Sequence, residues 1–269
     1  MLPIVLVTEI WIVIYNVYIA SYNEFNISIF MKNLIKSMLF IKKIDLPNMW
    51  YMPVIIGIYL VLPFISIIIK KVDKRIIAIP FGISIILNML LPNINMLLRL
   101  VNKSEITFII DKSFIGSYCG IYIVLGYYLF KELLRNINIK LIITLTISSA
   151  ILTILYQYIL LNNGINYDLW YNNILLFITS VGIYEIFLRI PNNINQFSKI
   201  SCLVSKYSLG IYFLHIIIQN LLKPIINKML VVNSVKALSL FICTFIISFV
   251  IIYSIKRFKF LQKYLFFVK

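Results

Sequence analysis

The sequence predicts an all-α protein: a polytopic bundle of about eight transmembrane helices in a single membrane domain that covers residues 1–269. Of the 269 residues, 62% are hydrophobic and only 13% are charged, and the mean hydropathy is +0.98. A soluble domain is closer to half apolar and a quarter charged. One water-soluble core cannot bury so much apolar surface, and the 15% aromatic content excludes a disordered chain.

Eight apolar stretches are candidates for membrane spans. The core of a bilayer requires about 20 apolar residues in a helix, and helices are expected because every backbone polar group in lipid needs an internal partner. Clusters of Asn, Lys and Asp separate the stretches, and Pro92 marks the end of the third. The predicted spans are residues 2–22, 50–69, 76–92, 114–130, 140–161, 172–190, 206–222 and 235–255.

The basic residues are distributed unequally between alternate loops. The chain has 25 Lys and Arg against 9 Asp and Glu, a formal net charge of +16. One set of loops, at 70–75, 131–140, 189–206 and 256–269, holds 15 of the basic residues, and the opposite set holds 10. Since basic loops stay in the cytoplasm, both termini are predicted to be cytoplasmic in the cell membrane. The lipid bilayer is the expected partner of this charge, and nothing indicates nucleic-acid binding.

Three ionisable side chains are predicted to lie at membrane depth: Glu9, Glu185 and His215. Such groups are costly in lipid and are candidates for function. His215 is the only histidine and follows Lys206 by nine residues, about 13 Å along a helix. It can act as a general base, or it can be a packed side chain that ties two helices. For both glutamates we expect protonation or pairing with an arginine such as Arg189, in an orienting role.

Several kinds of catalytic site have no counterpart in the sequence. There is no Gly-x-Ser-x-Gly elbow, no His-Glu-x-x-His pair and no Gly-Lys-Ser/Thr phosphate loop. One histidine cannot build a multi-histidine metal site, and the carboxylates are too sparse for an acidic cluster. The sequence therefore predicts neither a metal site nor a bound cofactor.

Three short motifs, taken in order, carry a resemblance to a known family. Residues 48–53 read Asn-Met-Trp-Tyr-Met-Pro, and the helix that follows continues Ile-Gly-Ile-Tyr-Leu at 56–60 and Pro63. Residues 126–129 read Gly-Tyr-Tyr-Leu, and residues 205–215 read Ser-Lys-Tyr-Ser-Leu-Gly-Ile-Tyr-Phe-Leu-His. The set resembles the acyltransferase 3 family of multi-spanning membrane O-acyltransferases, over residues 1 to about 255.

The resemblance implies an activity and site residues. Members transfer an acyl group, often acetyl, from acyl-CoA on the cytoplasmic side to a hydroxyl of a cell-envelope sugar or a related acceptor. An acceptor hydroxyl needs a base, and His215 is the one histidine that this chain offers. Asn48, Trp50 and Tyr51 are expected at the outer mouth of the second span, where Trp and Tyr stack on sugars and Asn binds hydroxyls. A belt of interfacial residues explains them equally well.

The sequence also departs from the family pattern. Members begin with a helix that carries a basic residue and a histidine central to catalysis, and nothing in this chain matches that helix. Residues 1–22 resemble the family's third span, so two helices are expected to be missing before Met1. Asn48 stands where the family has a histidine. An N-terminally truncated chain of this kind is expected to be a poor enzyme.

Two alternatives to a membrane acyltransferase stay open. A transporter or flippase for envelope precursors often shows internal repeats and broken helices, but here only Pro80 and Gly82 interrupt a span. A non-catalytic scaffold or remnant is the other alternative. High usage of Ile, Asn and Lys is typical of an AT-rich bacterial genome. The resemblance then implies that the acceptor is a bacterial envelope polysaccharide or glycolipid.

Overall fold

The computed structural model describes residues 2–22, 26–41, 48–107, 117–165, 169–190, 196–229, 231–255, 258 and 265. All regular elements in these residues are helices, so the all-α prediction is confirmed. A helix occupies each of the eight predicted spans. In chain order the helices are α1 (Leu2–Ala20), α2 (Ile27–Met38), α3 (Tyr51–Lys71), α4 (Lys74–Ile85), a π-helical segment (Ile86–Leu90), α5 (Leu91–Leu100), α6 (Ser117–Phe130), α7 (Ile139–Asn162), α8 (Ile174–Arg189), α9 (Gln196–Asn227) and α10 (Asn233–Ser254).

Six of the helical stretches among the described residues are long and apolar enough to cross a bilayer, which identifies a multi-pass membrane protein. Two further helices lie where spans are predicted but are shorter: α6 has 14 residues and α8 has 16. The total of eight crossings therefore stays a prediction. The six stretches are Pro3–Ala20, Tyr51–Lys71, Lys74–Leu100, Ile139–Asn162, Ser198–Asn227 and Asn233–Ser254.

The third predicted span continues past Pro92. Pro92 lacks the N–H that would bond the carbonyl of Asn88, and its ring crowds that carbonyl in a regular α-helix. The π-helical segment Ile86–Leu90 lies directly before it, and its wider turn accommodates the proline ring. The helix consequently runs on as α5 to Leu100 rather than ending at Pro92.

Helix α2 is an element that the sequence did not predict as a span, and its composition explains why. It has only 12 residues, and Lys32 and Lys36 interrupt its apolar side chains. Asn26 caps its start, where Oδ1 accepts hydrogen bonds from the backbone N–H groups of Ser28 and Ile29, at 3.0 and 3.2 Å. This cap satisfies two of the free donors at the helix N-terminus.

The described residues form two compact units, of which the first comprises residues 1–65 and 193–269. Its core joins α1, the start of α3, α9 and α10. Trp11 of α1 stacks on Phe213 of α9, with ring centroids 5.2 Å apart. Tyr18 of α1 and Tyr22, in the turn directly after it, lie beside later residues of α9. The two helices therefore run parallel.

The second unit comprises residues 66–192, and α7 packs against α8 within it. Gly182 of α8 lies directly against the side chain of Thr146 of α7. One turn along, the hydroxyls of Ser149 and Thr179 are 2.8 Å apart. Because the residue numbers rise on one helix as they fall on the other, α7 and α8 form an antiparallel hairpin.

An ion pair closes one end of this hairpin. Arg189 donates through Nε to Glu185 Oε1 at 2.8 Å, and its other nitrogens donate to the carbonyls of Ile137 and Leu134, at 2.8 and 2.5 Å. Glu185 is only 2% exposed, so the guanidinium offsets a buried charge. The pairing of Glu185 with Arg189 that the sequence suggested is thereby confirmed, and it fixes the segment between α6 and α7.

Candidate functional site

The candidate site lies in the first unit, where the turn before α3 meets α1 and α9. Asn48 is in this turn and is 8% exposed. Its amide nitrogen donates to the hydroxyl of Tyr15 and to the backbone carbonyl of Tyr212, both at 3.1 Å. Both amide hydrogens are thus engaged. The amide oxygen, Oδ1, is buried and has no hydrogen-bond partner among the described residues.

Tyr212 is the centre of this arrangement. Its hydroxyl donates to the backbone carbonyl of Asn48, while its own carbonyl accepts the Asn48 amide. Tyr15 extends the same network, because its hydroxyl donates to the carbonyl of Phe213. These reciprocal bonds hold the turn against α9 and restrict the orientation of the turn.

His215 follows Tyr212 by one helical turn. Its Nδ1 lies 2.6 Å from the carbonyl oxygen of Tyr212 and 3.2 Å from that of Ile211. Carbonyl oxygens only accept hydrogen bonds, so Nδ1 carries a hydrogen and donates it. In the neutral ring, Nε2 is then the nitrogen with a free lone pair. No hydrogen bond to Nε2 occurs within the part of the chain that the structure describes.

The aromatic residues of the two motifs meet on the ring of Tyr212. Tyr51 contacts it edge to face, with centroids 5.6 Å apart, and the imidazole of His215 lies 6.0 Å away. Trp50 in turn packs edge to face on Tyr51 at 5.9 Å. Hydrogen bonds and ring contacts together join six residues, which we call the Tyr212 cluster: Tyr15, Asn48, Trp50, Tyr51, Tyr212 and His215.

The structure therefore brings together the four candidate site residues, Asn48, Trp50, Tyr51 and His215. Glu9 is separate from them. Its Oε2 is buried without a partner, and no hydrogen bond or ion pair between described residues joins it to the Tyr212 cluster. The other buried glutamate, Glu185, belongs to the second unit, where it has the structural role described above.

Tyr15 and Tyr212 are the cluster residues to which the sequence assigned no role. The sequence does contain a feature that identifies Tyr212, since it stands three residues before His215 within the late motif and so shares its helix face. No sequence feature identifies Tyr15, because a tyrosine in an apolar helix can equally face lipid or the core. Its burial, with no exposed surface, is visible only in the folded chain.

Comparisons with known proteins agree with the motifs that form this cluster. No curated protein and no solved structure matches the chain. A family model described as an acyltransferase domain, that of the acyltransferase 3 family, matches residues 1–255, and these include every residue of the Tyr212 cluster. The chain belongs to the acyltransferase 3 family.

Proposed function

We propose that this membrane acyltransferase transfers an acyl group, most simply acetyl, from acyl-CoA to a hydroxyl of a cell-envelope polysaccharide or glycolipid. The family assignment supports the class of activity. The observation that carries the proposal is the meeting of two sequence motifs, distant in the chain, around one histidine whose Nε2 is free to take a proton.

In the proposed reaction His215 acts as the general base. The acceptor hydroxyl gives its proton to Nε2 while its oxygen attacks the thioester carbonyl of acyl-CoA. A carbon–oxygen bond forms and the carbon–sulfur bond breaks. The CoA thiolate then takes the proton from His215, which returns to its neutral form. Donation of Nδ1–H to the Tyr212 carbonyl fixes the tautomer and stabilises the imidazolium that forms during transfer.

Asn48, Trp50 and Tyr51 are proposed to contact the acceptor. Since the amide hydrogens of Asn48 are engaged, its remaining polar atom, Oδ1, can only accept a hydrogen bond. A sugar hydroxyl supplies the donor that this buried oxygen lacks. The rings of Trp50 and Tyr51 provide apolar faces of the kind on which sugar rings stack.

Reconstitution tests the proposal directly. The purified chain is placed in proteoliposomes with acetyl-CoA labelled in the acetyl group and with polysaccharide from the source organism, stripped of its O-acyl esters by mild alkali. We expect label to accumulate in the polysaccharide, slowly because no helix of this chain matches the one that carries the family's catalytic histidine, and to be released again by mild alkali, as an ester is. A properly inserted chain that leaves the polysaccharide unlabelled and does not consume acetyl-CoA contradicts the proposal.

A further inference from the structure

A cleft of about 490 Å³ opens between the C-terminal ends of α1 and α9, within the first unit. Its walls combine two tyrosines, two asparagines and one lysine with two apolar residues. The wall on the α9 side is fixed to the next helix, because Lys236 of α10 donates to the backbone carbonyl of Asn227 at 3.1 Å. The lining residues are Tyr18, Ile19, Tyr22, Asn220, Lys223, Pro224 and Asn227.

The chemistry of this lining fits an anionic sugar. Lys223 lines the cleft, and no carboxylate of the described residues lies within ion-pair distance of its ammonium group. The carboxamides of Asn220 and Asn227 supply donors and acceptors for hydroxyls. Tyr18 and Tyr22, in edge-to-face contact at 5.1 Å, supply aromatic surface on which a sugar can stack.

The position of the cleft relates it to His215. Lys223 follows His215 on the same helix by eight residues, a rise of about 12 Å. α1 and α9 run parallel, so both walls of the cleft belong to the same end of the unit. An extended glycan held in the cleft can therefore reach along α9 toward His215.

We propose that this cleft is a binding subsite for an anionic stretch of the acceptor glycan, one that carries carboxylate or phosphate groups, with Lys223 as its charge-recognising residue. The proposal takes the glycan nature of the ligand from the proposed function and adds its charge. A headgroup of an anionic lipid fits less well, because recognition of such headgroups depends on clusters of basic residues, and Lys223 is alone among the lining residues.

Binding without the acyl donor tests the proposal. The chain is reconstituted in nanodiscs of phosphatidylcholine, and the probe is the alkali-treated polysaccharide, separated by anion exchange into neutral and anionic fractions. We expect the wild type to bind the anionic fraction alone, and more weakly at high salt. Lys223→Gln should weaken this binding by about 10- to 100-fold, the loss expected for a charge-assisted contact, and Lys223→Arg should preserve it.

Lys228→Gln is the matched control, since it removes the same charge five residues further on from a side chain outside the cleft. Equal binding of the neutral fraction, unchanged binding by Lys223→Gln, or an equal loss in Lys228→Gln overturns the proposal. Displacement of the polysaccharide by phosphatidylglycerol in the disc also overturns it and assigns the cleft to a lipid. Transfer of label from acetyl-CoA is measured separately, so binding that depends on Lys223 without transfer contradicts the proposed function alone.

Discussion

Asn48 and His215 donate hydrogen bonds to the same backbone oxygen, the carbonyl of Tyr212, at 3.1 and 2.6 Å. The shared acceptor couples the turn before α3 to the tautomer of the histidine. Any movement of the turn therefore changes the hydrogen-bonding environment of Nδ1.

The first prediction concerns the basicity of His215. His215→Gln retains hydrogen-bonding groups but cannot take a proton, so we expect it to reduce acyl transfer by about 10²- to 10⁴-fold, the usual contribution of a general base. His215→Ala should be at least as inactive. Transfer is measured in proteoliposomes with equal amounts of inserted protein. Full activity of the glutamine variant excludes the base, and loss of folded protein in both variants favours a packing role.

The second prediction concerns the tyrosine that holds the turn from α1. Tyr15→Phe removes the bond to the Phe213 carbonyl and leaves one amide hydrogen of Asn48 without an acceptor. We expect it to lower the free energy of unfolding by about 1–3 kcal/mol, the range for a buried group left unsatisfied, as measured by SDS titration followed by circular dichroism. Tyr59→Phe, at an exposed tyrosine of α3, is the control. Equal stability of the two variants contradicts the role given to Tyr15.

The parts of this site that the sequence predicted are those that local chemistry determines. The candidate residues Asn48, Trp50, Tyr51 and His215 were found from motifs, and the structure places them together. The contacts between them were not predictable, because they join residues that are 164 positions apart, as in the bond between Asn48 and Tyr212. Apolar periodicity distinguishes a helix from a loop but does not select its neighbours.

In the fold, too, the sequence predicted the local features and not the ones that depend on the folded backbone. A helix occupies each of the eight stretches that hydropathy predicted, and the cost of a carboxylate at membrane depth pointed to the pairing of Glu185 with Arg189. Pro92 was misleading, since a proline ordinarily marks the end of a helix and only the local backbone reveals the π-helical segment before it. Helix α2 was missed because its 12 residues are too few to span a bilayer.

The third prediction concerns the ion pair in the second unit. Arg189→Met leaves the Glu185 carboxylate buried without a counterion and frees the carbonyls of Leu134 and Ile137, so we expect a loss of about 3–5 kcal/mol in unfolding free energy. The control is Arg99→Met, because Arg99 pairs with Glu105 at an exposed site. This variant should lose only about 0–1 kcal/mol of unfolding free energy. Adding Glu185→Gln to Arg189→Met should recover part of the stability. No recovery in the double variant contradicts a buried unpaired charge.

The fourth prediction concerns the packing of α7 on α8. A Cβ at position 182 collides with the hydroxyl of Thr146, so we expect Gly182→Ala to destabilise the fold by about 1–3 kcal/mol, as overpacking does. A second substitution, Thr146→Ala, should restore part of this loss. Gly126→Ala is the matched control, since a Cβ there meets no atom of the described residues within 4 Å beyond its own stretch of helix backbone, and alanine favours a helix over glycine. A similar effect of both glycine substitutions, in SDS titrations, contradicts the steric explanation.

The last prediction is that α6 crosses the membrane although its 14 residues rise only about 21 Å. α7 and α8 form an antiparallel hairpin, so together they leave and return to one side. α1 and α9 run parallel, so an odd number of membrane spans must lie between them. The helix α3, the continuous α4–α5 helix and the α7–α8 hairpin supply four of these spans. The number is odd only if α6 also crosses.

The resulting eight-span topology, with both termini cytoplasmic, makes the segment after α6 diagnostic. Fusions of a reporter after Arg135, after Arg75 and after Lys269 should all report cytoplasm, and a fusion after Lys228 should report the outside. If α6 does not cross, the fusions after Arg135, Lys228 and Lys269 all change side, while the fusion after Arg75 keeps its side. The same change reduces the basic residues of the cytoplasmic loops from 15 to 7 of 25, which reverses the charge bias that orients the chain. An external signal after Arg135 or Lys269 therefore contradicts this topology.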